Sequence, residues 1–445
     1  MEAKDLVVTP IFIFLILTAA FLLRPLVTDS INRKYFIPAL VIKIIGAIAV
    51  GLIYQFYYEG GDTFTYFSYG SKYIYEAFMD SPVTGIKLIF ASSEYQPDTF
   101  QYASKIYTYG DSASYFVVRV AGVFDLLTFN TYSATAVLFA TASFSGVWAL
   151  FLVFYREFPR LHFYLAIACL FIPSVVFWGS GLLKDTLTLG ALGWATYSVY
   201  QIFIAKRKWA LFTFILLINA YVVYVVKIYI LICFIPAAFL WVFTRYIAKM
   251  QNLMLKILIA PVFLTMAGIS GYYAIKEVAE ENRRYNLETI SKTAEATARW
   301  IHYVSVREGG SAYTLGDFDY STAGIIRKFP QAIWVTLYRP YLWEAHNVVM
   351  LLSAFESLAM LALTLMAIFK TGFLRFFRFA INKPILLFCF AFAISFAFAV
   401  GISTYNFGSL VRYKIPMMPF FISALFIMPY LAKSDRKVET LALVE

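Results

Sequence analysis

The chain is expected to fold as an all-α polytopic membrane protein with about eleven transmembrane helices, N-terminus outside and C-terminus cytoplasmic. Three observations lead there. Of 445 residues, 61% are hydrophobic, 19% aromatic and only 14% charged, more apolar surface than a soluble fold keeps out of water. The apolar residues gather into runs near the roughly 20 that a helix needs to cross a bilayer core. Finally, the charges are sorted by sign. Six short segments (Arg24–Tyr35, Tyr155–Arg160, Ala205–Lys208, Arg245–Lys256, Lys370–Lys383 and the tail from Lys433) hold 18 basic and 5 acidic residues. The long stretch 57–131 holds 4 basic and 8 acidic residues. An odd number of spans puts all six basic segments in the cytoplasm, as the positive-inside rule requires. The net charge of +11 is therefore a topology signal, and nucleic-acid binding is not expected.

The spans fall at about 6–23, 36–56, 132–154, 161–178, 186–204, 209–226, 228–244, 253–275, 346–369, 384–403 and 414–432. The first is expected to be retained: Met1 to Asp5 carries no net positive charge, and no small-x-small cleavage site follows Phe21. Lys43 lies one turn into the second span and is expected to snorkel to the surface. The runs 209–226 and 228–244 are kept as two spans meeting at Lys227, because fusing them would invert everything downstream and spoil the charge pattern. Cys169, Cys233 and Cys389 all lie inside spans and read as small apolar packing residues. The whole chain, 1–445, reads as one integral membrane domain.

Two large segments, 57–131 and 276–345, are expected on the outer face. The first contains Gly60-Gly61-Asp62 and then a Tyr/Phe-rich stretch that suits helices lying in the interface. Within it, Ser114–Phe129 is apolar but carries Arg119 and Asp125, and reads as an interfacial or re-entrant helix. In the second segment, 277–300 has helical spacing, and 325–343 alternates aromatics with Arg327, Lys328 and Arg339, as a surface-lying cover would.

Chemistry-bearing residues converge on the expected outer face. Asp62 follows two glycines. Lys184 and Asp185 close the turn Gly179-Ser180-Gly181-Leu182-Leu183, Lys227 sits between two spans, and Arg412 and Lys414 precede the last span. A carboxylate ringed by cations at a membrane boundary suits an anionic lipid head group. The carboxylate removes a proton from an incoming hydroxyl and the cations neutralise a leaving phosphate. No Walker A sequence, zincin helix or GxSxG elbow occurs, so ATP-driven transport and standard hydrolase chemistry have no support.

Gly61-Asp62 with Tyr66, the Pro173…Ser180-Gly181…Lys184-Asp185 turn, and Arg412-Tyr413 with Pro416 and Pro419 resemble the GT-C superfamily of membrane glycosyltransferases and the related polysaccharide polymerases. The resemblance covers three short patches. It implies a sugar or glycan taken from a polyprenyl-phosphate donor at the outer leaflet and passed to a glycan or lipid acceptor. It implies Asp62 as base, Arg412 as phosphate ligand, and residence in a bacterial inner membrane. Lys184, Asp185, Lys227, Arg339, Lys414 and Tyr66 join them as expected substrate-binding residues. No metal cluster or cofactor motif is visible, and a divalent ion at Asp62 is the one metal role left open.

Each of these residues also has a structural use. Asp62 suits a helix N-cap, Lys184 and Asp185 suit a pair or cap, and Arg339 suits an interfacial anchor. Two other functions stay open: a transporter or flippase of a lipid-linked glycan, resting on Glu356 in mid-span, and a non-catalytic membrane subunit of an envelope assembly.

Overall fold

The computed structural model describes residues 2–90, 94–249, 311–316 and 321–442, with a few short stretches between 295 and 307. Among them the secondary structure is helical apart from one isolated β-bridge, Ala312 to Asn406. The span expected over 253–275 and most of the helix expected over 277–300 lie outside the described residues.

The chain packs as two compact units, Met1–Ile228 and Tyr229–Glu445. The first contains α1 (Asp5–Val27), α2 (Arg33–Phe56), α3 (Asp62–Tyr66), α4 (Lys72–Asp80), α5 (Pro82–Phe90), α6 (Phe100–Ala103), α7 (Ser112–Thr128), α8 (Tyr132–Glu157), α9 (His162–Leu170), α10 (Pro173–Trp178) and α11 (Lys184–Val199). It also holds the start of α12 (Trp209–Lys249). The second holds the rest of α12, then α13 (Thr322–Arg327), α14 (Phe329–Tyr338), α15 (Val348–Thr371), α16 (Phe373–Asn382), α17 (Pro384–Ser403), α18 (Phe407–Tyr413) and α19 (Met418–Ala442).

Six of these helices (α1, α2, α8, α12, α15 and α17) are long and apolar enough to cross a membrane, or seven segments if the bent α18–α19 pair is one span. This places the chain among membrane-embedded helical proteins. The difference from eleven has local causes. Pro173 starts a new helix after a break at Phe171 and Ile172, leaving 161–178 as two short pieces. Helix α11 has only 16 residues before a π-turn at Tyr200–Ile204. The two runs expected to meet at Lys227 form one assigned helix, α12, in which Lys227 alone departs from helical geometry at φ −151°, ψ 73°.

Small residues set the tightest helix crossing in the first unit. A Cβ at Gly146 of α8 would lie 1.9 Å from the Gly190 carbonyl oxygen of α11, and one at Gly193 would lie 2.1 Å from the Gly146 carbonyl oxygen. Between helices in lipid, with little hydrophobic drive, such backbone approach supplies the dispersion that holds them. Phe36 of α2 adds edge-to-face contacts with Phe144 and Trp148 of α8, at 5.2 and 4.9 Å.

Part of the aromatic stretch after Asp62 packs inside the unit, while Tyr69, Phe90, Phe100 and Tyr107 are exposed. Tyr66, Phe67, Tyr102, Tyr109 and Tyr115 turn inward and form a core with Ile74, Val118 and Tyr132. The phenols are satisfied inside: Tyr115 donates to the Leu88 carbonyl at 2.6 Å, Tyr109 donates to that of Glu94 at 3.1 Å, and the Tyr132 hydroxyl meets Thr63 Oγ1 at 2.8 Å. Composition registers aromatic density but not direction, and here the rings pack on each other. The expected helix at 114–129 is α7, and its Asp125 is fully buried.

In the second unit, α14 packs on α17 so closely that a Cβ at Gly401 would lie 2.3 Å from the Ala332 carbonyl oxygen. Thr336 Oγ1 donates to the Ala397 carbonyl at 2.8 Å across the same crossing. The expected surface cover at 325–343 is thus helical and partly buried against a candidate span.

Candidate functional site

The polar cluster of the first unit is built on the turn between α10 and α11. Gly179 and Gly181 are there because neighbours leave no room for a side chain. A Cβ at Gly179 would lie 2.5 Å from Leu189 Cδ2, and one at Gly181 would lie 2.6 Å from Val50 Cγ1. The Gly179 carbonyl, freed at the end of α10, accepts Ser143 Oγ at 3.1 Å and Lys43 Nζ. Lys43 is buried and also donates to Ser143 Oγ at 3.1 Å. The expected snorkelling is therefore replaced by a helix C-terminus neutralised from α2, where a cation is favourable. Downstream, Thr186 Oγ1 donates to the Gly181 carbonyl at 2.6 Å, which fixes the start of α11.

From this braced turn the two charged residues diverge. Asp185, fully buried in the first turn of α11, accepts a hydrogen bond from the buried Lys227. The kink at Lys227 aims that ammonium at α11. Lys184 reaches the other way, to Asp111 Oδ2 at 3.3 Å, just before α7. Asp62 and Lys227 both act on Lys184 electrostatically. Burial pulls the Lys184 ammonium below its ordinary pKa, Asp111 and Asp62 draw it back up, and Lys227 adds repulsion. At Asp111, burial works to raise the pKa, but the Ser114 hydroxyl and Lys184 outweigh it and the net direction is down.

Asp62 is presented by a turn in which Glu59, Gly60 and Gly61 all have positive φ, 53°, 142° and 116°. At Gly61 a Cβ would also strike the Tyr54 ring at 2.8 Å. The N-cap position belongs to Gly61, and Asp62 is the first residue of α3, where its charge faces the helix's positive end. Asp62, Lys184, Asp185 and Lys227 thus lie in the first unit. Tyr66, expected to touch substrate, is instead 4% exposed within the aromatic core. Its position on the inner side of a five-residue helix was not legible from the motif.

The other expected cations lie in the second unit. Arg339 pairs with Glu344 through Nε at 3.1 Å and a second, shorter contact from Nη2. Its guanidinium also sits over the rings of Phe407 at 5.1 Å and of Tyr313 and Tyr341 at 5.7 Å. Lys414, fully buried between α18 and α19, donates to Ser357 Oγ at 3.1 Å, and that hydroxyl donates to the Arg339 carbonyl at 3.0 Å. Glu356 is the acidic neighbour of Lys414. Arg412 is half-buried in the last turn of α18.

Sequence reasoning missed Asp111, Ser357 and the structural part of Lys43. Asp111 carried a usable signal: an acid immediately before an apolar helical run, where a helix start is expected. Among the described residues no three His, Cys, Asp or Glu side chains group as metal ligands.

The arrangement sets a half-buried carboxylate, Asp62, within electrostatic reach of a partly enclosed ammonium, Lys184, which is paired with Asp111. It is suited to holding an anionic group at Lys184 while Asp62 takes a proton. Comparison with protein-family models, curated proteins and solved structures finds no match to this chain.

Proposed function

We propose that this protein transfers a sugar or glycan from a polyprenyl-phosphate-linked donor to an acceptor at the outer face of a bacterial inner membrane. The reading includes the eleven-span arrangement with its N-terminus outside and the likeness to the GT-C superfamily. The acceptor oxygen attacks the anomeric carbon as its proton passes to Asp62. The bond from that carbon to the phosphate oxygen breaks, and its electron pair leaves with the phosphate. Lys184 meets the developing charge there. General base catalysis of this kind contributes about 10² to 10⁴ in rate. The observation that carries the reading is that Asp62, from a segment 122 residues earlier in the chain, acts electrostatically on Lys184. The buried Asp185–Lys227 pair serves as the brace, because each charge already has its partner. In this reading the positive charge that meets the phosphate is that of Lys184, and no step is routed through a metal. Arg412, Arg339 and Lys414 lie in the second unit, and no step is assigned to them in this reading.

A second reading, transport of a lipid-linked glycan, draws on one observation in the second unit. Helices α18 and α19 meet at a 68° bend, and the buried Lys414 lies in the break. Interrupted helices carrying a charge are how many transporters build a midplane site.

One experiment separates the two. Purified protein in sealed vesicles is given radiolabelled sugar on polyprenyl phosphate or polyprenyl diphosphate, with a glycan acceptor. Label appearing in the acceptor supports transfer. Label crossing the bilayer while still on its lipid supports transport and overturns transfer.

A further inference from the structure

Away from the Asp62 cluster, the first unit contains a groove of about 590 Å³ bounded by α1, α2, α8 and α11. That is within the usual size of a ligand site. Its walls are apolar: Leu23 from α1, Phe36 and Leu40 from α2, Phe144 and Trp148 from α8, and Trp194 from α11. Its mouth is polar and carries one charge of each sign, Asp29 and Arg156.

Both charges are held in place and both are exposed. One guanidinium nitrogen of Arg156 donates to the Tyr197 hydroxyl at 2.9 Å, and the group lies 5.2 Å from the centre of that ring. This leaves the rest of a five-donor fork to meet an anion. Asp29 Oδ1 accepts the backbone N–H groups of Ile31 and Asn32, each at 2.9 Å, and Oδ2 accepts Asn32 Nδ2 at 3.0 Å. The carboxylate is thereby fixed in a tight turn, the Tyr155 hydroxyl is also hydrogen-bonded to it, and it offers a cation its negative charge. One turn before Thr28, Arg24 Nε is enclosed without a hydrogen-bond partner.

We infer that this groove binds one zwitterionic aminophospholipid, phosphatidylethanolamine, with an acyl chain between α1 and α8, its phosphate on Arg156 and its ammonium on Asp29. Hydrophobicity does not select the occupant, because a lipid chain leaving the bilayer exchanges one apolar surrounding for another. Selection therefore lies in the head group. A single fixed cation would favour any phospholipid and a polybasic mouth would favour anionic ones. A cation and an anion at the same mouth match a head group that carries both. This site stands apart from the sugar-transfer reading and does not depend on it.

The test is native mass spectrometry of the full chain, delipidated and then equilibrated with phosphatidylethanolamine or phosphatidylglycerol carrying identical acyl chains. The expected result is one retained phosphatidylethanolamine per chain, favoured about tenfold over phosphatidylglycerol, equivalent to about 1.4 kcal/mol. Asp29→Asn keeps the turn's Oδ1 acceptor and removes the charge, so it should erase the preference without lowering phosphatidylglycerol retention. Arg156→Ala should lower retention of both. Ala19→Trp, at an exposed residue of the groove wall, should exclude both lipids while leaving the fold intact. Equal retention of the two lipids by the parent would overturn the inference. So would a preference that survives Asp29→Asn, or retention that survives Ala19→Trp.

Discussion

Lys184 Nζ lies 3.3 Å from Asp111 Oδ2, a contact between residues 73 positions apart that ties the start of α11 to the start of α7. The side chains are 20% and 47% exposed, so water screens the pair. A contact of this type contributes about 0.2–1 kcal/mol. A double-mutant cycle with Lys184→Ala and Asp111→Ala, read by melting in detergent, should give a coupling within that range. A coupling well above it would mean that the pair is a main support of the fold and that Lys184 is not free to exchange Asp111 for a phosphate.

The Asp185–Lys227 pair should behave oppositely. Both groups are buried, so removing one strands the other's charge in a low-dielectric site at a cost of about 3–5 kcal/mol. Lys227→Met alone is expected to lower the melting temperature strongly. Lys227→Met combined with Asp185→Leu should recover much of that loss, because the stranded charge is gone. A double variant as unstable as the sum of the singles would contradict the brace assigned to this pair.

The α8–α11 crossing makes a steric prediction. With a Cβ at Gly146 only 1.9 Å from a backbone oxygen, Gly146→Ala forces the helices apart and removes contact along both. It should sharply reduce the yield of folded protein. Gly110→Ala is the control, since no neighbouring atom lies within 4 Å of a Cβ there, and its melting curve should match the parent. Equal behaviour of the two variants would refute the close crossing.

Asp125 predicts a pH dependence. Its carboxyl is buried, and Thr135 Oγ1 donates to Oδ1 at 2.6 Å. Burial pushes its pKa up to about 6, with Ser71, Thr135 and Lys4 offsetting only part of that. The folded state thus holds this proton more tightly than the unfolded chain, where an aspartate titrates near 4. Stability contributed by the proton is full below about pH 4, is lost as pH rises through about 6, and then levels off. Asp125→Asn should flatten this part of the stability profile and raise stability at pH 7, by up to about 3 kcal/mol from the size of the shift. An unchanged profile between pH 4 and 7 would exclude Asp125 as its source.

Much of this was legible in the sequence where composition speaks for long runs. The helices at 5–27, 33–56, 132–157, 348–371 and 384–403 lie within a few residues of the apolar runs that announced them. What escaped depends on side-chain direction and partner choice. Lys43 was expected to reach for water, yet a free carbonyl at Gly179 gave it a partner inside. Composition showed the aromatic density after Asp62 but not that Tyr66, Phe67, Tyr109 and Tyr115 turn inward, with the Tyr115 phenol on a carbonyl. Short helices hide for a different reason. A proline at 173 divides an apolar run without altering its composition.

The central claim is that Asp62 takes the acceptor's proton during sugar transfer. The most direct measurement is the initial rate of transfer from labelled polyprenyl-phosphate sugar by the parent and by Asp62→Asn, with melting curves of both. The account predicts a rate at least about 100-fold lower for Asp62→Asn at an unchanged melting temperature. A variant that folds normally and transfers sugar at the parental rate would contradict it.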